Sequence, residues 1–217
     1  MVDDLLSGLA SGQTYPDILA EGATLLRGFA VEQALDLVEA LGPITEVAPF
    51  RHMITPGGYT MSVAMTNCGQ VGWVTNRNGY HYDPQDPETN NAWPELPSEY
   101  TALAADAAAA AGYLGFVPDS CLINRYAPGA RMSLHQDKNE HDFSAPIVSL
   151  SFGLPAVFLF GGLKRSDRPR RIRLESGDAV VWGGPARMTY HGVAPLADGY
   201  DPLTGNCRIN LTLRKAL

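Results

Sequence analysis

The segment LHQDKNE, residues 134–140, places His135 and Asp137 two positions apart. On a β-strand, residues two apart point to the same face, so we expect this imidazole and this carboxylate to converge. Two such groups meeting at one point are a candidate metal site. They could equally form a hydrogen-bonded pair near the surface, and a third ligand is needed to separate these interpretations.

A candidate third ligand, His191, lies in MTYHGVAPL, a segment typical of a strand that enters a turn. Two histidines and one carboxylate on one side of a metal are the ligand set of non-haem Fe(II) oxygenases, and they leave positions open for substrate and oxygen. The pattern His-x-Asp is common by chance. On these three residues alone, a metal site and a surface pair explain the sequence equally well.

The segment CRINLTLRK near the C-terminus carries a second group of polar side chains. Period-two alternation puts four of them on one face of a strand: Arg208, Asn210, Thr212 and Arg214. In LINRY, Asn124 and Tyr126 likewise share a face. Guanidinium groups bind carboxylates bidentately. These polar faces are therefore either solvated or bind an anion, and beside a metal they would suit a small dicarboxylic cosubstrate.

Four segments together resemble the AlkB family of alkylated-nucleic-acid repair dioxygenases. They are RHMITPGGYTMSVAMTNCG, NRYAPGARMSLHQDKNE, GDAVVWGG and CRINLTLR. The resemblance runs from about residue 20 to the C-terminus. The motifs H-x-D…H, R-x-x-x-x-x-R and N-x-Y-x-P-G are specific in combination, although each alone is not.

This resemblance implies a double-stranded β-helix, or jelly roll, that uses Fe(II) and 2-oxoglutarate. The residues that match the family's iron ligands are His135, Asp137 and His191. Arg208 matches the arginine that contacts the C1 carboxylate region of 2-oxoglutarate, and Arg214 matches the one that salt-bridges its distal carboxylate. The residues that match polar groups of the cosubstrate pocket are Asn124, Tyr126 and Asn210.

The resemblance also implies a substrate side. Trp73 and Tyr80, in the Gly- and Asn-rich segment GQVGWVTNRNGYHYD, match residues that stack on and orient the damaged nucleotide. An aromatic pair on an exposed flap suits clamping a flat base, although simple core packing would also explain Trp73. The other residues expected on this side are Thr55, Met61 and Ser62 in a lid, Lys138 and Asn139 after the metal aspartate, and Arg165 near the flipped base.

Asn139 departs from the family pattern. The bacterial member that the chain resembles carries an aspartate at this position, two residues after the metal aspartate. That acid is expected to favour cationic bases such as 1-methyladenine and 3-methylcytosine. Asparagine keeps the hydrogen-bonding shape without the charge, so we expect the ranking of substrates to differ while the demethylation chemistry stays.

The activity implied by the resemblance is oxidative demethylation of such bases in single- or double-stranded DNA, with RNA left open as a further substrate. The N-methyl carbon is hydroxylated with O₂ and leaves as formaldehyde, while 2-oxoglutarate becomes succinate and CO₂. Because the methyl group lies on the Watson–Crick edge, the base must leave the stack or come from a single strand.

Two other functions stay open. An oxygenase that acts on protein, lipid or a small molecule would share the iron and cosubstrate residues. It would give no reason for Trp73, Tyr80 or the basic segment KRSDRPRRIR, residues 164–173, which could hold phosphates or be a solvated hairpin tip. A jelly-roll binding or storage module without enzymatic activity would have missing ligands or a broken cosubstrate pocket.

Helices and loops dominate the first half of the chain. Helices are predicted in PDILAEG (16–22), in VEQALDLVEALG (31–42), ending at Gly42, and in SEYTALAADAAAAAGY (98–113). In the last of these, Ser98 is the expected N-cap and Gly112 the expected stop. The pattern of ATLLRGF predicts a strand, ITPGGYTMSVAMTNCG a turn followed by a strand, and YDPQDPETNNAWPELP a long loop.

Strands dominate the second half. Seven segments from Ser120 onward have strand patterns: CLINRY, RMSLHQD, PIVSLSFG, AVFLFGG, RIRLESGDAVVWGG, MTYHGVAPL and CRINLTLRK. Many short strands divided by turn residues predict a sandwich or barrel, so the fold class is α+β, mainly β, with early helices bracing one sheet. We expect a single domain, 1–217, with supporting helices and a nucleotide-recognition lid before about residue 118 and the catalytic core from about residue 119.

Bulk composition limits location and partners. The net charge of −7 over 217 residues argues against a general nucleic-acid coat protein. No apolar run reaches about 18 residues and the first residues are acidic, so neither a membrane span nor a secretory leader is predicted. The three cysteines, Cys68, Cys121 and Cys207, show no disulfide or zinc pattern and indicate a reducing, cytoplasmic compartment. A monomer is the default expectation.

Overall fold

Two antiparallel β-sheets form the centre of the protein, whose computed structural model describes residues 16–217. The prediction about a secretory leader falls on residues 1–15, outside the described residues. Strands are numbered in chain order. The large sheet contains, in spatial order, β1 (Asp17–Ala20), β2 (Ala23–Leu26), β11 (Ala179–Trp182), β8 (Ile147–Gly153), β13 (Arg208–Arg214), β6 (Ser120–Tyr126) and β3 (Ala64–Gly69).

A smaller sheet and a hairpin complete the β-structure. The small sheet contains, in spatial order, β10 (Arg170–Leu174), β9 (Ala156–Phe160), β12 (His191–Val193) and β7 (Met132–His135). The hairpin consists of β4 (Gly72–Asn76) and β5 (Gly79–Asp83), and we call it the flap. From β6 onward, each sheet receives four strands, β6, β8, β11 and β13 in the large sheet and β7, β9, β10 and β12 in the small one. This is the order of a jelly roll and confirms the predicted mainly-β class.

Period-two alternation along β6 and β13 separates two hydrophobic clusters. Leu122 and Tyr126 belong to the cluster that also holds Phe158 and Phe160 of the small sheet, so this cluster fills the space between the sheets. Ile209, Leu211 and Leu213 belong to a second cluster, shared with Tyr100 and Leu103. The polar face of β13 therefore points between the sheets, and its apolar face packs against helix.

Three helices cover the large sheet: α1 (Ala34–Glu39), α2 (Leu41–Val47) and α3 (Ser98–Ala110); a short 3-10 helix spans Gly184–Ala186. Helix α3 confirms its prediction, and Gly112 follows its end with a φ of +91°. Pro97, not the expected Ser98, is its N-cap. The helix predicted to end at Gly42 is instead divided at Ala40, because Pro43 would clash with the carbonyl of Glu39 in a continuous helix.

The helix predicted for PDILAEG is wrong. Asp17–Ala20 forms β1, an edge strand that pairs with β2 through a tight turn at Gly22, which has a φ of +78°. Tertiary contact decides this outcome, because β2 pairs with β11 in the large sheet and offers β1 a free edge. The large sheet thus includes strands on both sides of the boundary predicted near residue 118.

The remaining described chain agrees with the predicted long loop. The segment of residues 84–97 is irregular and buries Trp93, whose indole donates to the carbonyl of Asp83 over 2.9 Å. Cys68 and Cys121 are buried free thiols, and Cys207 is a partly buried free thiol. No helix among residues 16–217 has the length and apolar character needed to cross a membrane.

Candidate metal centre and substrate flap

The small sheet brings the two histidines together. His135 ends β7 and His191 begins β12, and the two residues lie directly opposite each other in the antiparallel register. Asp137 follows the end of β7 rather than lying on it, so the expected strand geometry does not orient this carboxylate. The chain turns there and still brings one ligand atom from each of the three residues within 4.8 Å of the others.

Both imidazoles are oriented by backbone carbonyls. Nδ1 of His135 lies 2.9 Å from the carbonyl oxygen of Ser133, and Nδ1 of His191 lies 3.0 Å from that of Thr189. A proton on each Nδ1 leaves each Nε2 free to bind a metal. Burial and the neighbouring His135 lower the pKa of His191 to about 4, which favours the neutral form that a metal requires.

Asp137 is held as a carboxylate by Arg214. Nε and Nη2 of Arg214 donate to Oδ2 of Asp137 over 3.1 and 2.7 Å. Burial raises the pKa of Asp137, but Arg214 and the two histidines outweigh it and hold the pKa well below its usual range. Asp137 Oδ1 lies 3.6 Å from Nε2 of His135, and Oδ2 lies 3.8 Å from Nε2 of His191. The triad thus offers two imidazole nitrogens and one anionic oxygen, which suits Fe(II).

Arg208 provides a buried cationic site between the sheets. Its Nη2 donates to Oγ of Ser151 over 2.9 Å, and its guanidinium lies 5.0 Å from the ring centre of Tyr126. Its Nε and Nη1, and Oδ1 of Asn124, are buried without a hydrogen-bond partner among the described residues. A buried guanidinium with free donors is stabilised by an anion, so Arg208 fits a carboxylate of 2-oxoglutarate.

The geometry favours roles for the two arginines opposite to those that the resemblance implies. Arg214 contacts the iron ligand Asp137, so it lies at the metal end of the pocket, where the keto-acid end of the cosubstrate would bind. Arg208 is six residues earlier on β13, roughly 20 Å away along the strand at about 3.3 Å per residue. The distal carboxylate therefore suits Arg208, and the sequence pattern could not separate the two because both arginines share one face.

The side chain of Asn210 makes its hydrogen bonds to neighbouring residues of the large sheet. Its amide donates to Oγ of Ser149 and to the carbonyl of Leu150, each over 2.8 Å, and its Oδ1 accepts from Thr212 over 3.1 Å. Ser149 accepts from Asn210, and Ser151 accepts from Arg208. Neither serine was predicted as a site residue. Their signal was the alternating serines of PIVSLSFG, a strand that pairs with β13.

The flap lies against the loop of the metal aspartate. The rings of Trp73 and Tyr80 are stacked, with centroids 5.5 Å apart and planes at 20°. Asn139 joins them to the triad loop: Trp73 Nε1 donates to its Oδ1 over 3.3 Å, and its amide donates to the carbonyl of Tyr80 over 3.1 Å. Trp73 also packs partly against the core, as the alternative interpretation of this residue expected. Asn67 fixes its backbone through two hydrogen bonds.

The lid residues have mixed roles. Thr55 Oγ1 accepts from the backbone N–H of Tyr59 over 3.1 Å and thereby shapes the lid turn. Met61 is partly buried against the core between the sheets. The hydroxyl of Ser62 lies 3.1 Å from both the N and the O of Arg131, which joins the lid to the chain entering β7. Lys138 is exposed.

Some residues of the basic segment pair with other groups of the protein, and others are exposed to solvent. Arg170 donates to the carbonyl of Leu19, and Arg173 pairs with Glu175 over 2.5 Å. Arg165 is exposed in the loop that follows Phe160, and Phe160 is the register partner of His191. The loop of Arg165 therefore starts beside the metal centre.

Three further residues join the flap to the triad and were not predicted: Tyr82, Glu140 and Arg187. Glu140 is buried and accepts from Tyr82 of β5 over 2.7 Å and from Arg187 over 3.0 Å. The only sequence signal was a second acid three residues after the metal aspartate. Nothing in the sequence placed a flap tyrosine or a distant arginine beside it.

Comparisons with known proteins agree with this geometry. The 2OG-Fe(II) oxygenase superfamily matches residues 22–214. The chain is 56% identical over 212 residues, 98% of each chain, to alpha-ketoglutarate-dependent dioxygenase AlkB of Escherichia coli, and 42% identical over 207 residues, 92% of each chain, to the AlkB homolog of Caulobacter vibrioides. The solved structure of OsALKBH1 superposes with a TM-score of 0.83 and 27% identity, covering 93% of this chain and all of that one. This chain is therefore an AlkB-type dioxygenase of the 2OG-Fe(II) oxygenase superfamily.

Proposed function

We propose that the protein removes N-methyl groups from the Watson–Crick edge of damaged bases in DNA, with 1-methyladenine and 3-methylcytosine as substrates. RNA is a further substrate to be tested. The products are the restored base, formaldehyde, succinate and CO₂. The chain's similarity to AlkB of Escherichia coli and the presence of all three metal ligands argue against a binding module without enzymatic activity.

One observation carries this proposal: Asn139, two residues after the iron ligand Asp137, bonds the indole of Trp73. This bond holds a stacked aromatic pair beside the metal centre, where a flat base could be gripped. An oxygenase for a protein side chain or a lipid has no need of such a pair. The exposed cations Lys138 and Arg165 add partners for phosphate oxygens.

In the proposed site, His135, Asp137 and His191 hold Fe(II), which supplies the oxidising chemistry with O₂ and 2-oxoglutarate. Arg208 binds the distal carboxylate, and Arg214 keeps Asp137 ionised and oriented. Trp73 and Tyr80 hold the extruded base. Extrusion is least costly for a damaged or single-stranded base, because its pairing is already weak.

The test is anaerobic reconstitution with Fe(II) and 2-oxoglutarate, followed by air, on an oligonucleotide holding one 3-methylcytosine. We expect formaldehyde and a mass loss of about 14 daltons, the difference between methyl and hydrogen, only when both additions are present. Succinate without loss of the methyl group would keep the oxygenase and exclude this substrate. A matched oligonucleotide without the lesion measures the background.

Three predictions accompany the proposal. The chain acts as a single domain, as a monomer, and in the cytoplasm. Size-exclusion chromatography with light scattering tests the second, and cell fractionation tests the third.

A further inference from the structure

Glu140 lies at the centre of a buried group of charges between the flap and the metal centre. Its Oε1 accepts from the hydroxyl of Tyr82 over 2.7 Å and lies 3.4 Å from Nε of Arg214. Its Oε2 accepts from Nη2 of Arg187 over 3.0 Å. The carboxylate therefore contacts one residue of the flap and two arginines.

The two arginines both hold the iron ligand. Arg214 donates twice to the side-chain oxygen Oδ2 of Asp137, and Arg187 donates to its backbone carbonyl over 2.8 Å. Asp137 and Glu140 balance the charges of these two cations. A shift of the Glu140 carboxylate would therefore move both groups that fix Asp137.

Tyr82 is the flap residue that contacts Glu140. It lies opposite Trp73 in the register of β4 and β5, and Tyr80 is two residues away on the same face of the hairpin. A base that docks on Trp73 and Tyr80 would contact the same hairpin that carries the Tyr82 hydroxyl. The contacts run without a break from Tyr82 to Glu140, to Arg214 and to Asp137.

We propose that Glu140 is a positioning residue that couples the flap to the iron ligand, so that docking of a methylated base on the flap strengthens metal binding by Asp137. The inference rests on the proposed function, because it needs an iron site and a base-binding flap. Coupling between two sites is reciprocal, so metal and 2-oxoglutarate must also strengthen binding of the oligonucleotide.

The experiment measures binding without turnover. Co(II) is titrated anaerobically in the presence of 2-oxoglutarate and followed by its visible absorption, with and without a 3-methylcytosine oligonucleotide. For the unaltered protein we expect the oligonucleotide to lower the Kd of Co(II) by about fivefold or more, the low end of measured couplings. The same ratio must appear when the oligonucleotide is titrated with and without Co(II).

Tyr82→Phe is the decisive variant, because it removes one hydroxyl and leaves Glu140 between its two arginines. We expect the coupling ratio to fall below about twofold, with a smaller change in the Kd of Co(II) alone than in Glu140→Gln. Tyr100→Phe is the matched control. It removes a buried tyrosine hydroxyl that donates to the carbonyl of Leu37 over 2.7 Å, away from this group, and should keep the full coupling.

Glu140→Gln tests the charge directly. Without the second carboxylate, both arginines compete for Asp137, so the Kd of Co(II) alone should rise by about tenfold, as for other residues that orient metal ligands. Thermal unfolding of the metal-free variants shows whether each is folded.

The outcomes separate the two proposals. Full coupling in Tyr82→Phe, or binding of both ligands without coupling in the unaltered protein, would overturn the inference and leave the proposed function in place. Failure of the unaltered protein to bind Co(II) with 2-oxoglutarate, or to prefer the methylated oligonucleotide, would overturn both. Loss of coupling in Tyr100→Phe as well would show a general effect of hydroxyl removal and would also overturn the inference.

Discussion

Asn139 bonds Trp73 at its oxygen and the backbone of Tyr80 at its nitrogen, over 3.3 and 3.1 Å. An aspartate could make only the first of these bonds, because a carboxylate is an acceptor and would repel the carbonyl of Tyr80. The asparagine thus holds the flap to the triad loop at two points and puts no charge beside the base.

We expect Asn139→Asp to change selectivity rather than chemistry. The added charge should raise kcat/KM for cationic 3-methylcytosine by roughly tenfold relative to a neutral base such as 1-methylguanine. The free energy that corresponds to this ratio is smaller than the attraction between two opposite charges about 4 Å apart near a protein surface. Competition between two labelled oligonucleotides measures the ratio. Asn78→Asp adds the same charge at the exposed flap turn, and an equal rise there would refute the local explanation.

Removal of the ligand carboxylate should abolish the reaction. In Asp137→Ala we expect loss of Co(II) binding and a large fall in turnover. The fall should exceed the 10- to 100-fold loss that is typical when a residue hydrogen-bonded to a metal ligand is mutated. Formaldehyde release and visible absorption measure the two effects. Asp142→Ala, an exposed aspartate on the same loop, should keep both. Near-normal turnover in Asp137→Ala would show that the iron assignment is wrong.

The two pocket arginines should give different losses. Arg208→Ala should raise the KM for 2-oxoglutarate by roughly 10- to 100-fold, because charged hydrogen bonds contribute about 1.5–3 kcal/mol, and should leave Co(II) affinity unchanged. Arg214→Ala should also weaken Co(II) binding, since Asp137 loses its partner. Arg125→Ala, exposed on β6, is the control. An unchanged Co(II) affinity in Arg214→Ala would favour the roles first expected from the sequence.

Stability at low pH should depend on Asp86. Burial raises the pKa of Asp86, but hydrogen bonds from Arg51 outweigh it and lower the pKa below its usual value. The pair of ionised Asp86 and Arg51 therefore stabilises the folded protein at pH values above about 3.9, the pKa of an aspartate in the unfolded chain. This stabilisation is lost as the pH falls through the lower pKa that Asp86 has in the folded protein. We expect Asp86→Asn to reduce the free energy of unfolding by about 2 kcal/mol at pH 7.

Urea denaturation at several pH values measures this difference, which should shrink as the pH falls below about 4. Asp198→Asn, an exposed aspartate, should be neutral throughout. A difference that stays constant down to pH 2 would show that shape, not charge, explains the effect of Asp86→Asn.

The sequence by itself predicted a strand-rich sandwich or barrel, and its resemblance to the AlkB family narrowed this prediction to a jelly roll with three candidate metal ligands. Period-two alternation is a local property, so the polar face of β13 and the strands from Ser120 onward could be predicted from neighbouring residues. The residues His135, Asp137 and His191 were candidate ligands by type and spacing, and the resemblance to the AlkB family favoured a metal site over a surface pair.

Only the tertiary structure decided the relationships that depend on distant segments. The strand at Asp17–Ala20 forms because β2 has a free edge in the large sheet. The sequence of residues 16–22 does not indicate that such an edge is present. The roles of Arg208 and Arg214 depend on which of them meets Asp137. Glu140 gains its partners, Tyr82 and Arg187, from positions 58 and 47 residues away in the chain. Local patterns specify faces and residue types, but they do not specify which faces meet, because packing sets that and packing is a property of the whole chain.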